Sequence, residues 1–301
     1  MYVSFSFHLQ VAMKPTSIIP EFRILLFLAV SLMLFFAIRL EFRSDFNWIS
    51  QSARRKSYVT RDEEKDNGPL VCPMPALQSG DQIRQILTTV EMPCGNTTTF
   101  GGPPRGKKGS SKNVCLDAKF GITPGSCVVF SFGINHDWSF EDEMAEFGCK
   151  VFAYDPTMDV EDHQRSPNLR FFATGIANFN GTKIIGMGKN WKERKVNRFE
   201  NLVKEAGMEG VAIDVVKLDV ELSELDFFQD MLFNSRHVLK NIKQLAVEIH
   251  SYFRSQEVNS LSRHQVFWPY LNLLRCAGFK LISSEAGGYW REVVWAQDRV
   301  W

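Results

Sequence analysis

The stretch Val128–Pro156 (VVFSFGINHDWSFEDEMAEFGCKVFAYDP) constrains the fold of this chain more than any other feature. Val128–Phe132 is a short apolar run of β-branched and aromatic residues, which is typical of a strand covered on both faces. Gly133 interrupts the run. A glycine at this point lets the chain turn sharply and lets another group approach its backbone. Apolar side chains then recur at helical intervals from Ser139, which has capping-box spacing to an acid, until Gly148 ends the helix. The pattern predicts a strand, a tight turn and a helix.

A second strand, Lys150–Tyr154, follows and places Asp155 at its carboxyl end. In doubly wound α/β folds an acid at this position reaches the ribose hydroxyls of a nucleotide-like cofactor. The G-x-G-x-x-G fingerprint of dinucleotide sites is missing, and a pyrophosphate needs several close backbone N–H groups. S-adenosylmethionine carries no phosphate, so the segment favours a methyltransferase over an NAD enzyme. The alternative is that Gly133 is an ordinary turn and Asp155 a solvated acid.

Strand and helix signals alternate along the rest of the chain, as in an α/β fold with a parallel sheet. Three further strands are predicted at Asn168–Thr174, Ile213–Val220 and Gln244–Ile249. Helices are predicted at Phe199–Ala206, from Ser223 onward, and at Val258–Cys276 with a kink at Pro269. Phe279–Ser284 and Arg291–Ala296 then follow each other across a short Gly-containing loop, which predicts a hairpin. A terminal hairpin on a parallel sheet resembles the seven-stranded, Rossmann-like fold of S-adenosylmethionine-dependent methyltransferases.

Several motifs make this resemblance specific. The segment KLDVELSELDFF (Lys217–Phe228) resembles the K-I-D-x-E-G-x-E segment of the FkbM-like methyltransferases. The set VCLDAKFG, FSFGINHDWSFE, FAYDPT and LAVEIH is similar to the methyltransferase-like protein 24 family. The resemblance covers about residues 94–297 and implies a methyltransferase domain that follows a single-span anchor.

The resemblance also implies roles for individual residues. It implies a cofactor site with Phe132, Gly133 and Asn135 at the methionine end, Asp155 at the ribose, and Gly175 and Ile176 near the adenine. Asp219 would stand beside the methyl group. The chain departs from the FkbM-like pattern at Leu222, where glycine is usual, and a required positive φ would strain a leucine there.

A second group of polar residues closes two neighbouring strands of the predicted sheet. Asp219 and Glu221 end one strand, and Glu248 and His250 end the next. His250 is a candidate general base, oriented by Asp219 or Glu248, for deprotonating an acceptor hydroxyl. Alternatively, all four residues could bind Mg²⁺, Mn²⁺ or Ca²⁺. The remaining interpretation is that Glu221 caps the next helix and His250 lies on the surface.

The N-terminal region predicts a membrane anchor. Ile24–Ile38 (ILLFLAVSLMLFFAI) has no charged residue, and flanking arginines can extend the stretch to residues 24–40. As a helix the uncharged core covers about 22 Å, less than the roughly 30 Å of a bilayer core. We therefore expect a tail at 1–23, a signal anchor at 24–40, a polar stem at 41–80 and a methyltransferase domain at 81–301.

Cysteines and glycosylation motifs favour a lumenal or extracellular domain on that anchor. Asn96 and Asn180 each begin an N-x-T glycosylation motif. Of the six cysteines, three lie in a loop-rich region where disulfides are expected: Cys72, Cys94 and Cys115. Three lie on predicted strands and a helix, where buried thiols are expected: Cys127, Cys149 and Cys276.

Charge leaves the choice of partner open. The net charge of +1 gives the whole chain no attraction to nucleic acid, so no nucleic-acid partner is expected. Two basic runs, Arg105–Lys112 and Lys189–Arg198, are typical of solvated loops or helix faces, or of a site for an acidic substrate. Gly101–Ser111 is expected to be a flexible loop and a candidate lid.

Three functions are compatible with these patterns. The first is a membrane-anchored methyltransferase that uses S-adenosylmethionine, with or without a divalent metal, on a small-molecule, glycan or protein acceptor. The second is a degenerate member that keeps the fold as a binding or scaffold module. The third is a Golgi-type glycosyltransferase, although Asp219-Val220-Glu221 replaces the D-x-D motif of those enzymes.

Overall fold

Thirteen strands and six α-helices are found in the part of the chain that the computed structural model describes, which is residues 72–187, 190–221, 223–250, 265–287 and 290–301. The strands are β1 Thr97–Phe100, β2 Lys112–Cys115, β3 Val128–Phe132, β4 Lys150–Tyr154, β5 His163–Ser166, β6 Leu169–Phe172, β7 Gly175–Ile176, β8 Gly181–Met187, β9 Asn190–Asn197, β10 Ile213–Leu218, β11 Ile242–His250, β12 Phe279–Ala286 and β13 Trp290–Gln297. The helices are α1 Gly80–Thr88, α2 Ser139–Glu146, α3 Phe199–Glu205, α4 Glu224–Gln229, α5 Arg236–Leu239 and α6 Trp268–Cys276.

The central sheet has eight strands in the order β12-β13-β11-β10-β3-β4-β6-β5. The five strands from β6 to β11 are mutually parallel, and β13 runs antiparallel between β11 and β12. This confirms the predicted parallel sheet and its terminal hairpin. The predicted count of seven strands is wrong, because β5 adds an antiparallel edge strand beside β6. Its sequence, HQRS, is polar and mostly exposed, so it lacks the alternation that would reveal a strand.

The middle of the sheet is buried on both faces, as its apolar runs predict. Every residue of β3, β10 and β11 is buried. On one face, aromatic rings stack in sequence: Phe130 lies 5.0 Å from Phe152, and Phe132 lies 4.9 Å from Tyr154, between ring centroids. Each such ring contributes about 1.5–3 kcal/mol when fully buried. This packing holds the carboxyl ends of β3 and β4 rigidly side by side.

The basic run Lys189–Arg198 was expected to be a loop or a helix face, and that prediction is wrong. Most of the run forms β9, which pairs antiparallel with β8 and parallel with β7 in a separate three-stranded sheet. Lys192 and Arg194 lie two residues apart and therefore share one face, and both contact Asp159, at 2.9 and 2.6 Å. Four consecutive charged residues of β9, Lys192–Lys195, lie along one strand, and composition alone does not distinguish such a strand from a solvated loop.

The segment Gly101–Ser111, which we call the strap, is bound to α2 rather than free to act as a lid. The Gly102 N–H donates to Ser139 Oγ at 2.9 Å, and the Lys107 N–H donates to Asp137 Oδ2 at 2.5 Å. Ser139 was predicted to cap α2, but Trp138 occupies the cap position and the Ser139 side chain holds the strap instead.

Three disulfides pair all six cysteines, Cys72 with Cys276, Cys94 with Cys115, and Cys127 with Cys149. The prediction of buried thiols at Cys127, Cys149 and Cys276 is therefore wrong. Val128 pairs with Lys150 in the parallel register, so the two cysteines that precede them are neighbours with Cα atoms 4.4 Å apart. Sequence spacing alone does not contain this register.

Helix α6 begins at Trp268, and Pro269 lies in its first turn, where a missing N–H costs nothing. The predicted kink at Pro269 is therefore wrong, and residues 258–264 of that predicted helix lie outside the described residues. The predicted tail, the signal anchor, most of the stem, and Leu222 also lie outside them. Within the described ranges no helix is both long and apolar enough to cross a membrane.

Candidate active site

The turn after β3 depends on a glycine at position 133. Gly133 has φ +81°, and its N–H donates to Tyr154 O at 2.9 Å. A Cβ atom on Gly133 would lie 1.7 Å from the carbonyl oxygen of Asp219. The group that approaches the Gly133 backbone is therefore the end of β10, so the turn joins the carboxyl ends of three parallel strands.

Asp155 fastens this turn to β4. Its Oδ2 accepts from the backbone N–H groups of Ile134 at 2.8 Å and Asn135 at 2.9 Å. Its Oδ1 accepts from the N–H and the hydroxyl of Thr157 at 2.8 and 2.6 Å. A carboxylate has about four lone-pair sites, so Asp155, which is 4 % exposed, is fully engaged. Its predicted contact with ribose stays a prediction and would require one of these donors, most simply the Thr157 hydroxyl, to move aside.

Two exposed residues of the same turn adopt left-handed conformations. Asn135 has φ +46° and His136 has φ +61°. Such conformations cost about 1–3 kcal/mol each outside glycine and persist where surrounding contacts enforce them. Here the hydrogen bonds that Asp155 accepts from the N–H groups of Ile134 and Asn135 hold the start of the turn in place.

The other predicted cofactor residues lie at the same corner of the sheet. Phe132 is buried against Tyr154 and Phe199, so only its backbone can face a ligand. Gly175 is packed under Pro156, the residue that follows Asp155, since a Cβ on Gly175 would lie 2.9 Å from Pro156 Cγ. Ile176 is 2 % exposed beside it. The structure thus brings all six residues predicted to bind the cofactor to the ends of β3 and β4 and to the neighbouring β7.

The four residues predicted at the next two strand ends also converge, around the ring of His250. Its Nδ1 lies 2.8 Å from Glu224 Oε1. Its Nε2 lies 3.1 Å from Glu248 Oε1, 3.7 Å from Glu221 Oε1 and 3.9 Å from Asp219 Oδ1. Glu224 was not among the predicted residues, although it occupies the last position of the K-I-D-x-E-G-x-E pattern and lies in the first turn of α4. The candidate base therefore has both ring nitrogens beside carboxylates.

Lys112 is a site residue that the sequence did not reveal. It comes from β2, is 2 % exposed, and places its Nζ 2.7 Å from Glu292 Oε1, 3.4 Å from Glu248 Oε2 and 4.0 Å from Asp219 Oδ2. In the sequence it ends a basic run typical of a flexible loop, and Glu292 lies within the hairpin. Only the fold places this lysine over the ends of β10 and β11.

These contacts shift the pKa values of the cluster. Burial opposes the charge on His250, but hydrogen bonds to Glu224 and Glu248 outweigh it and raise the His250 pKa to about 11. Burial raises the pKa of Glu292 to about 9 despite the nearby Lys112 ammonium. Burial alone would raise the pKa of Glu248, but hydrogen bonds from His250 and Glu292 outweigh burial and lower this pKa to about 2. Burial also raises the pKa of Asp219.

Lys217 connects the two halves of the site. Its Nζ donates to Gly133 O at 2.5 Å and lies 3.4 Å from Glu141 Oε1. Glu141 in turn accepts from the Ser131 hydroxyl at 2.5 Å. The lysine that opens KLDVELSELDFF therefore fixes the glycine turn, a role that the sequence pattern did not indicate.

A cavity of about 570 Å³ lies between the strap and the first turn of α2. Its arginines are already paired, Arg105 with Glu146 at 2.6 Å and Arg165 with Asp142 at 2.8 Å. The basic run at the strap therefore offers less free charge to an acidic substrate than its composition suggests.

A large mixed sheet with five parallel strands, a terminal antiparallel hairpin and a glycine turn after the first parallel strand defines a methyltransferase-like α/β fold. The chain belongs to a methyltransferase family: a family model described as a methyltransferase domain matches residues 89–294, more than half of the chain. The predicted resemblance to methyltransferases is confirmed.

The similar proteins agree with this assignment. Probable methyltransferase-like protein 24 of Homo sapiens is 28% identical over 57% of this chain, and that of Rattus norvegicus is 29% identical over 52%. The aligned parts cover 47% and 43% of those relatives, so the chain spans less than half of their length. A solved 1,6-didemethyltoxoflavin-N1-methyltransferase of Burkholderia thailandensis, with bound S-adenosylhomocysteine, overlaps 60% of this chain and 77% of its own at 14% identity. Its TM-score of 0.30 is too low to support an argument.

Proposed function

We propose that this protein is an S-adenosylmethionine-dependent methyltransferase that methylates an oxygen nucleophile. The observation that carries the proposal is the contact between the Gly133 turn and Asp219, which puts the predicted cofactor corner against the acidic cluster at one edge of the sheet. S-adenosylmethionine, when bound, supplies an electrophilic methyl group. The chain must hold it, align an acceptor and receive a proton.

The cofactor corner fits such a molecule in shape and donor chemistry. The exposed turn at Asn135 and His136 is held rigid, and it ends at α2 without the several glycines that a pyrophosphate would need. Asp155 would reach the ribose hydroxyls by exchanging the Thr157 hydroxyl, which already occupies such a hydroxyl position on Oδ1. Gly175, which is packed next to Pro156, and its neighbour Ile176 are proposed to lie near the adenine.

The acceptor's proton would pass to Asp219. His250 is poorly placed as a base, because its side chain is only 11 % exposed and both ring nitrogens face carboxylates. Glu248 is 9 % exposed and lies between His250 and Lys112, whereas the Asp219 side chain is 29 % exposed. His250 and Glu248 are therefore proposed to position the carboxylate, and Asp219 to receive the proton.

Transfer of a labelled methyl group from S-adenosylmethionine to hydroxyl compounds tests this assignment. Candidate acceptors are glycans, small hydroxy compounds and secreted proteins, and mass spectrometry would identify a methyl ether. Asp219→Asn should lower the transfer rate by about 10²–10⁴-fold with little effect on cofactor affinity. Asp226→Asn is the matched control, because Asp226 lies on α4 and its carboxylate pairs with Lys183 of β8. Methylation of nitrogen or carbon, or full activity in Asp219→Asn, would contradict the proposal.

One observation favours a second function. Because all four lone-pair sites of Asp155 are engaged within the chain, a protein that keeps the fold as a binding module without cofactor is the alternative. Failure to bind S-adenosylmethionine would favour it. The glycosyltransferase hypothesis has no comparable support, since the chain belongs to a methyltransferase family.

We also propose that the domain lies in the secretory pathway or outside the cell, held there by the predicted anchor at residues 24–40. Pairing of all six cysteines is typical of oxidising compartments. Asn96 and Asn180, which begin the two glycosylation motifs, are both exposed. The expressed protein should lose mass on glycosidase treatment, and Asn96→Gln with Asn180→Gln should remove that change. An unglycosylated protein with free thiols would contradict this location.

A further inference from the structure

We propose that Asp219, Glu248 and His250 bind a divalent cation at the carboxyl ends of β10 and β11. One oxygen of each carboxylate and the Nε2 of the imidazole lie within 4.8 Å of one another. The role of the cation in catalysis rests on the proposed function, but its binding does not.

The spacing suits a shared cation with little movement. Two ligand atoms that each lie about 2.1 Å from one metal ion are about 3.0 Å apart at a right angle and about 4.2 Å apart when opposite. His250 Nε2 lies 3.1 Å from Glu248 Oε1 and 3.9 Å from Asp219 Oδ1. Glu221 Oε1, at 3.7 Å from the same nitrogen and on a 64 % exposed side chain, can complete the set.

The imidazole is oriented as a metal ligand would be. A histidine that binds a metal usually donates its other N–H to a carboxylate, which fixes the tautomer and the ring orientation. Glu224, which is fully buried, accepts from His250 Nδ1 at 2.8 Å. Nε2 is thereby directed at the carboxylates of Asp219, Glu221 and Glu248.

One buried ammonium lies on the far side of the two carboxylates and donates a hydrogen bond to one of them, Glu248. Lys112 Nζ lies 3.4 Å from Glu248 Oε2 and 4.0 Å from Asp219 Oδ2, which are the oxygens that face away from His250. The inner oxygens, Oε1 and Oδ1, face the imidazole. Glu248 and His250 therefore each have a hydrogen-bonded supporting partner, which is the arrangement that preorganises metal centres.

The donor set selects the class of ion. Two carboxylates with one imidazole suit Mn²⁺, and Mg²⁺ at lower affinity. Softer metals prefer sulfur ligands, which this site does not offer. An ion at this position would lower the pKa of an acceptor hydroxyl. The outer oxygen of Asp219, beyond hydrogen-bond distance of Lys112, would stay available to receive the proton.

Titration of the full chain with MnCl₂, followed by electron paramagnetic resonance without S-adenosylmethionine, tests the site. One Mn²⁺ should bind per chain, and His250→Ala should weaken binding at least tenfold. Glu224→Gln, which keeps the shape of the supporting side chain, should weaken it about 10–100-fold. His237→Ala is the matched control, because His237 is a surface histidine 3.5 Å from a single carboxylate, Glu200.

The outcomes separate this site from the proposed function. Absence of Mn²⁺ binding to the unmodified chain would overturn the proposed cation site, regardless of how the variants fold. Equal Mn²⁺ binding by the His250→Ala chain and the unmodified chain would also overturn it. Mn²⁺ binding without S-adenosylmethionine binding would keep the site and reject the methyltransferase. Cofactor binding without Mn²⁺ binding would do the reverse.

Discussion

At the scale of single residues, Gly133 is the position where the two halves of the site meet. Its φ of +81° excludes most side chains, and a Cβ there would collide with Asp219 O at 1.7 Å. The sequence predicted the turn from the glycine alone. It could not predict that the approaching group is β10, because that contact depends on the strand order.

Gly133→Ala should lower the free energy of unfolding by about 2–4 kcal/mol, since a strained φ and a backbone collision add together. Gly207→Ala is the matched control: its φ is +70°, but a Cβ there would meet nothing within 4 Å. That variant should cost only about 1–2 kcal/mol, the price of the left-handed conformation. Chemical denaturation measures both, and equal losses would show that the Asp219 contact is unimportant.

At the scale of elements, α2 and its strap show where sequence patterns succeed and where they fail. The helix was predicted because its apolar residues recur at helical spacing. Its partner, the strap Gly101–Ser111, looks flexible by composition, yet it is bound to Asp137 of the β3–α2 connection and to Ser139, the first residue of α2. Hydrogen bonds between backbone amides and distant side chains leave no periodic signal, so composition alone suggested a lid.

The strap should detach in acid. Partial burial opposes the charge on Asp137, but hydrogen bonds from the Lys107 N–H and from Ser139 outweigh it and lower its pKa to about 2. A depressed pKa adds stability above the unfolded value of about 3.8, and that stability is lost as the pH falls toward 2. The protection factor of the Lys107 amide, which corrects for the pH dependence of intrinsic exchange, should therefore fall between about pH 4 and pH 2. In Asp137→Asn this fall should be absent, and an unchanged profile in that variant would contradict the assignment.

At the scale of the whole molecule, the predictions succeeded where a pattern is local and repeated. The sequence pattern predicted the parallel strands and the terminal hairpin. Because the carboxyl ends of parallel strands lie at the same edge of a sheet, it also predicted that Asp155, Asp219 and His250 come together. The edge strand β5, the β8–β9 hairpin and Lys112 were missed. The sequences of β5 and β9 are mostly polar, and Lys112 reaches its partners only because the fold brings distant segments together.

The disulfides make a prediction at this scale as well. In the chain-entropy view, a crosslink stabilises in proportion to the logarithm of the loop that it closes. The Cys72–Cys276 bond spans 204 residues and the Cys127–Cys149 bond spans 22. Cys276→Ser should cost up to about 5 kcal/mol and Cys149→Ser up to about 3 kcal/mol of unfolding free energy. The reverse order in denaturant titrations would show that local packing, rather than loop length, decides these contributions.

The most direct test of the central claim is calorimetric titration of the full chain with S-adenosylmethionine. We expect saturable binding at one site per chain, lost in Asp155→Ala while the variant keeps the circular dichroism spectrum of the unmodified chain. Asp81→Ala, which removes an exposed carboxylate from α1, should bind as the unmodified chain does. No binding by the unmodified chain, or undiminished binding by Asp155→Ala, would contradict the assignment of a cofactor site at the ends of β3 and β4.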